Sequence, residues 1–145
     1  MNVMKFLIPK SQVVFIGEDS TVRQAYEKMR YHRYTAVPVI DGEGKYVGTL
    51  RNDDLFAYFM EGGTSDTREA ESTPLTYILD RAYSKPLYHN ATMAELIDAV
   101  REHNFVAIVD DRGCFVGIVL RRDVLNFLFG CYEKSMTRAQ AKKQQ

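Results

Sequence analysis

Residues 46–59 read YVGTLRNDDLFAYF, and residues 115–128 read FVGIVLRRDVLNFL. In both stretches an aromatic residue and a Val precede a Gly, and an Asp follows six residues after that Gly. An apolar, helix-like run comes next. Gly48 maps onto Gly117 and Asp54 onto Asp123 at one constant offset of 69 residues. A constant offset in a chain of 145 residues predicts a supersecondary unit built twice.

Reading outward from the first stretch, VVFIG (13–17) predicts a short strand. Asp19 or Ser20 caps the helix that follows, in which Val22, Ala25, Tyr26 and Met29 take the spacing of one buried face. YTAVPVID (34–41) ends in the turn signal Asp41-Gly42, and KYVGTL (45–50) is its partner strand, so 34–50 predicts a hairpin. Asn52, Asp53 or Asp54 caps a second helix that buries Leu55, Phe56 and Phe59. The second copy keeps this order. PLYH (86–89) is a strand, and Asn90 or Thr92 caps a helix with Met93, Leu96, Ile97 and Val100 on one face. FVAIVDD (105–111) and CFVGIV (114–119) flank the turn DDRG, and Asp123 begins a helix carrying Val124, Leu125, Phe127 and Leu128. A short helical lead-in precedes each copy, VMKFLI (3–8) and PLTYIL (74–79).

Between the copies, EGGTSDTREAES (61–72) has no aliphatic or aromatic side chain beyond Ala and predicts an exposed linker. The tail SMTRAQAKKQQ is polar and basic, and either extends the last helix or is disordered. The expected fold class is therefore α/β, with two pseudo-symmetric strand-helix-strand-strand-helix repeats at 1–60 and 73–132, a linker at 61–72 and a tail at 133–145. Each copy alone is about half a domain, so pairing the sheets is what buries both. Such pairing leaves two equivalent clefts between the copies, where small ligands are favoured.

The bulk numbers exclude several roles. Nineteen basic and nineteen acidic residues cancel, which argues against nucleic-acid binding by general charge. Cys114 and Cys131 form no metal spacing and no disulfide framework, and are expected to be core thiols in a reducing compartment. The apolar run in MNVMKFLIPK is too short for a signal peptide and no stretch reaches membrane-spanning length, so a cytoplasmic location is expected. His32, His89 and His103 are too scattered for a metal site; His32 and His103 recur at the ends of equivalent helices, where the helix dipole accounts for them. Gly42-Glu43-Gly44-Lys45 is a hairpin turn rather than a phosphate loop. No nucleophile-base arrangement stands out, and no enzyme activity or cofactor is expected, a nucleotide hydrolase being the catalytic alternative.

The repeated hydrophobic-Gly-x-x-x-x-x-Asp, the Ala-Val-Pro-Val before it and the order of the units resemble a tandem pair of cystathionine-β-synthase (CBS) domains, or Bateman module, over residues 3–132. The resemblance implies a regulatory sensor of adenosine-containing ligands such as AMP, ADP or ATP, bound in the clefts, and disc-shaped homodimers. Such pairs are usually attached to an enzyme or channel; with no such domain here, action on a separate effector protein is expected. FLIPKSQVVFI, RYTAVPVID and HNFVAIVDD with GIVLRRDVL are similar, more narrowly, to the stand-alone CBS-pair proteins of Gram-positive bacteria that bind cyclic di-AMP. That similarity implies that ligand releases the partner protein. It places the nucleotide between Val14, Tyr34, Thr35 and Ala36 on one side and Arg121 and Arg122 on the other.

The residue types fit that chemistry. Val14, Ala36 and Pro38 supply a flat apolar slot for adenine, and Tyr34 a ring contact. Thr35 offers a hydroxyl, and the planar fork of an arginine suits phosphate, here at a helix N-terminus near Asp123. Core packing explains Val14 and Tyr34 equally well, surface charge the arginine pair, and capping Asp54 and Asp123. The family's usual Ser or Thr three residues after the Gly is replaced by Arg51 and Leu120, which weakens a single-phosphate ligand. In the family the matching Asp accepts hydrogen bonds from ribose hydroxyls, so Asp123 keeps AMP, ADP and ATP open. A second cleft, from Leu87, Phe105 and Ala107 with Arg51 and Asp54, is expected to be weaker or empty, because Asp53 and Asp54 repel phosphate. Cyclic di-AMP is thus the first expectation, a linear adenine nucleotide the second, and a ligand-free interaction scaffold the alternative of another class.

Overall fold

A computed structural model describes residues 2–62 and 67–144. Met1, Gln145 and residues 63–66, the middle of the expected linker, lie outside the described residues. The repeat is realised as strand, helix, hairpin, helix twice over. In the first copy β2 (Ile16–Gly17), α1 (Val22–His32), β3 (Ala36–Ile40), β4 (Tyr46–Arg51) and α2 (Asn52–Glu61) follow β1 (Ile8–Pro9), which lies in the lead-in. After α3 (Thr67–Ser72), the second copy gives β5 (Leu87–Tyr88), α4 (Met93–Glu102), β6 (Phe105–Val109), β7 (Phe115–Leu120) and α5 (Arg121–Lys143). The sheets run β2-β3-β4 and β1-β7-β6-β5. β2 pairs parallel with β3 as β5 does with β6, and the hairpins β3-β4 and β6-β7 shift register at the same place, Val39/Ile40 and Ile108/Val109.

Local chemistry explains the matched elements. The first helix of each copy starts in a capping box, not at Asp19, Ser20 or Asn90. The Gln24 amide donates to Thr21 Oγ1 at 3.2 Å, and the Gln24 side chain accepts from the Thr21 amide at 2.9 Å. Thr92 and Glu95 repeat this at 3.2 and 2.8 Å. At α2 neither Asn52 nor Asp53 is the cap; Asp54 reaches back from the first turn to accept the Arg51 amide at 2.9 Å. Each hairpin turn is held by its Asp: Asp41 accepts from the amides of Glu43 and Lys45, Asp110 from those of Arg112 and Cys114. Gly44 and Gly113 close these turns at φ of 85° and 81°, where a side chain would be strained.

The two turns also join the sheets. The Tyr46 amide donates to the Gly113 carbonyl at 3.1 Å, and the Phe115 amide to the Gly44 carbonyl at 2.9 Å. These bonds exchange under the repeat offset, as a pseudo-twofold axis between the copies requires. Ile40, Ala107 and Phe115 form the buried cluster at this junction, with Val13, Phe15, Tyr46 and Ile118 packed around it.

Each copy's own core is completed by the lead-in of the other. Val3 is buried among Leu96, Val100, Val106 and Val119, with Phe6 and Leu7 against them, while β1 adds to β7. In return Leu75, Leu79 and Ala70 are buried with Val22, Met29, Val39 and Leu50. The backbone stitches this second crossing: Val22 donates to the Thr73 carbonyl at 2.8 Å and Leu75 to the Ser20 carbonyl at 3.0 Å. The segment expected to be an exposed linker therefore contains α3, which buries Ala70 and pairs Glu71 with Arg23. Two residues expected on buried faces are exposed instead: Tyr26 and Phe56. The expected core thiols are not core either, Cys114 being half-buried and Cys131 exposed. The tail takes the helical alternative, as α5 runs unbroken to Lys143.

The crossing gives the repeated Gly a reason. A Cβ at Gly117 would collide with the Ile8 carbonyl oxygen, a backbone atom that cannot swing away. At Gly48 the nearest atoms would be the Leu79 side chain at 3.4 Å, an ordinary contact. Gly117→Ala is expected to lower stability by about 3 kcal/mol and Gly48→Ala by about 1 kcal/mol or less, read by urea denaturation. Equal effects would show that the β1 crossing does not hold β7 as described.

Candidate functional site

A cleft of about 380 Å³ opens where the copies meet. The strand β3 lends Ala36 and Pro38 to one wall, with Tyr34 just before it and Val13 and Val14 from the segment leading to β2. Ile118 and Leu120 of β7 form the opposite wall, with Phe105 at the start of β6. Ile8 and Gln12 close one end, and Arg122, in the first turn of α5, stands at the lining as its one cation. Arg122 is exposed, and no carboxylate pairs with it among the described residues. The His32 ring stacks on that of Tyr34 at 5.5 Å and 13°. The lining is thus an apolar slot with one guanidinium at its rim, suited to a flat ring carrying an anion.

Of the residues expected here, the cleft brings together Val14, Tyr34, Ala36, Pro38 and Arg122. Arg121 is turned elsewhere: its Nε donates to the Val100 carbonyl at 2.6 Å and its Nη2 lies 3.5 Å from that of Arg101. A guanidinium there satisfies the last carbonyls of α4 and is spent on that end of the helix. Thr35 is exposed outside the lining, its carbonyl accepting the Asn52 amide at 2.9 Å. Asp123 is half-buried in the first turn of α5 and does not line the cleft. Sequence reasoning missed Ile8, Gln12, Val13, Ile118 and Leu120; Ile8 and Gln12 reach the site only because the chain crosses to β7 before the first copy begins.

The second cleft is filled from within. Arg51, expected to face a ligand there, pairs with Asp54 at 3.0 Å, and its guanidinium carbon lies 3.8 Å over the Tyr83 ring. Tyr83 in turn meets the His103 ring edge-on at 4.8 Å. Next to it Tyr46 donates to the Ser84 carbonyl at 2.9 Å, leaving its oxygen to accept from Thr49 Oγ1 at 2.7 Å. Leu87 packs into the second copy's core, Ala107 into the central cluster, and Phe105 lines the first cleft instead. Under the repeat offset Asp53 stands where Arg122 stands, so this side has an acid where the open cleft has its cation.

A wider groove of about 450 Å³ lies between α1 and α2, floored by Met29, Leu55 and Phe59. It shares Tyr34 with the cleft but lies within one copy. Among the described residues no cluster of His, Cys, Asp and Glu could hold a metal ion, and no helix is long and apolar enough to cross a membrane.

Comparison with known proteins agrees with this architecture. The family model of the CBS domain matches residues 6–61 and 85–130. An inosine-5′-monophosphate dehydrogenase from Methanocaldococcus jannaschii is 28% identical over 113 residues, covering 78% of this chain; the chain spans 21% of that relative's length. Among solved structures, CbpB in complex with c-di-AMP superposes with a TM-score of 0.83 at 22% identity, covering 95% of this chain and 91% of that one. Listeria monocytogenes CbpB, also in complex with c-di-AMP, gives 0.80 at 19% identity, covering 90% and 97%.

Burial raises the Tyr46 hydroxyl above the ordinary tyrosine value of 10.0, the hydrogen bonds with Thr49 and Ser84 opposing it. The unfolded chain therefore releases this proton first, so the stability it contributes is complete below pH 10 and lost as pH rises through the folded value. Tyr46→Phe is expected to cost about 1–2 kcal/mol at pH 7, from two bonds lost and two buried partners left unpaired, and to flatten the alkaline loss. Urea melts at neutral and alkaline pH check both; an unchanged alkaline slope in Tyr46→Phe contradicts the assignment.

Proposed function

The chain belongs to the CBS-domain family, and on that premise we propose that it is a regulatory protein that binds an adenine nucleotide, cyclic di-AMP first, in the cleft beside Arg122. The observation that carries this reading is an apolar slot between the copies with the Arg122 guanidinium at its rim, unpaired with any carboxylate among the described residues. Cyclic di-AMP is preferred to AMP, ADP or ATP for two reasons. Its structural neighbours of like fold include proteins solved with c-di-AMP. Asp123, the group that would recognise a free ribose diol, lies outside the lining. One adenine fits among Val14, Ala36 and Pro38 with Tyr34 at its edge, and the adjacent phosphate meets Arg122.

The role proposed is binding, not turnover. The protein acts in the cytoplasm as a homodimer whose arrangement responds to ligand, and a separate effector protein reads that arrangement. A ligand can shift such an equilibrium only by its difference in affinity for the two arrangements. The cleft is placed for this, because one wall belongs to each copy and Tyr34 is shared with the groove between α1 and α2.

Calorimetry with cyclic di-AMP, AMP and ATP tests the reading. Cyclic di-AMP is expected to bind with one site per chain, and Arg122→Met to weaken it about 10–100-fold, the loss of one charge-assisted contact. Arg121→Met is expected to leave affinity within about twofold while costing about 1 kcal/mol of stability, since its bonds run to α4. Binding of AMP or ATP alone moves the protein to the linear-nucleotide reading. No binding by any of the three, with a stable partner recovered, favours a ligand-free scaffold.

A further inference from the structure

A purine pressed into the cleft loses water from its polar edge as well as from its faces, and each edge group left unpaired weakens binding. Few groups of the lining can replace that water. Its polar side chains are Gln12, Tyr34 and Arg122, and the rest is hydrocarbon. On the β7 wall the main chain is engaged in the sheet, since Ile118 pairs with Ile8 on one side and with Ala107 on the other. On the β3 wall Pro38 has no N–H to give.

Gln12 ends the single helical turn Lys10–Gln12 that follows β1. The turn is closed by the Val13 amide, which donates to the Lys10 carbonyl at 3.1 Å. Gln12 is exposed, and its carboxamide makes no hydrogen bond among the described residues. A carboxamide carries an acceptor and a donor side by side, the pattern that pairs with N6 and N7 of adenine. Guanine shows two acceptors on that edge, O6 and N7, which suit Arg or Lys instead. The one cation of the lining, Arg122, is committed to phosphate in the reading above. Two residues beyond Gln12, the Val14 amide and carbonyl also lack partners among the described residues. They complement the adjacent edge of adenine, N1 and the second N6 hydrogen.

We propose that Gln12 reads the N6/N7 edge of an adenine held in the cleft and so makes the site selective for adenine over guanine. Its Nε2 donates to N7, and its Oε1 accepts from N6. This rests on the nucleotide reading above and names the side chain that recognises the base.

Calorimetry on the full chain tests it, with cyclic di-AMP and its analogue carrying 7-deazaadenine in place of both adenines. The analogue lacks the N7 acceptor and is expected to bind about 3–10-fold more weakly than cyclic di-AMP. Gln12→Ala is expected to weaken cyclic di-AMP about 10-fold and to shrink the penalty for the analogue to within about twofold. Gln12→Glu, which accepts from N6 but cannot donate to N7, is expected to lose the penalty as well. If only a linear nucleotide binds, AMP and 7-deaza-AMP give the same comparison. Gln12→Ala binding as the natural chain does, or weakening ligand and analogue equally, overturns the role of Gln12 and leaves the nucleotide reading standing. Failure of the natural chain to bind any adenine nucleotide overturns both.

Discussion

Neither half of this chain can close its own core. Val3 lies among the side chains of the second copy, and Leu75 and Leu79 among those of the first. The tightest point of the exchange is the approach of the Ile8 carbonyl to Gly117, which tolerates no side chain. Burial of apolar surface is the dominant favourable term in folding, so this exchange binds the two copies into one cooperative body. It also accounts for the sheet order, since β1 can lie beside β7 only if the chain crosses before the first copy begins.

The same crossing builds the cleft. It carries Ile8 and Gln12 past the junction and lays Val13 and Val14 against Tyr34, Ala36 and Pro38. The equivalent segment at the second crossing carries Tyr83 and Ser84, and there the bulk and the hydrogen bonds point inward. Arg51 stacks on Tyr83, and Tyr46 ties Thr49 to the Ser84 carbonyl. Two clefts that symmetry would make alike thus diverge through a few side chains. One remains open with a cation at its rim, and the other is occupied by the protein itself.

Much of this was legible in the sequence, because a repeated pattern reports a repeated environment. The offset between Gly48 and Gly117 yields the two-copy α/β fold, and the hairpins follow from Asp41 and Asp110 at their turns. What escaped was whatever depends on which copy a segment packs against. Nothing local in VMKFLI says that Val3 belongs to the second core, so Ile8 and Gln12 could not be placed at the cleft. Arg121 and Arg122 are neighbours of identical type, but successive helical residues point about 100° apart, and only one reaches the lining. Phe56 follows the apolar pattern of a buried position yet lies exposed, because periodicity marks an apolar side chain without saying whether the fold covers it. Tyr83 carried no signal, since its function is to fill a space defined by Arg51.

The central claim is that the crossed lead-in and the two hairpins form one ligand cleft, and that Arg122 serves it. Methyl-labelled NMR during titration with cyclic di-AMP tests this most directly. The account predicts shifts concentrated at Ile8, Val13, Val14, Ala36 and Ile118, with Leu87 and Ala107 little changed. Shifts centred on Leu87, Ala107 and Thr49, or none at saturating ligand, would contradict it.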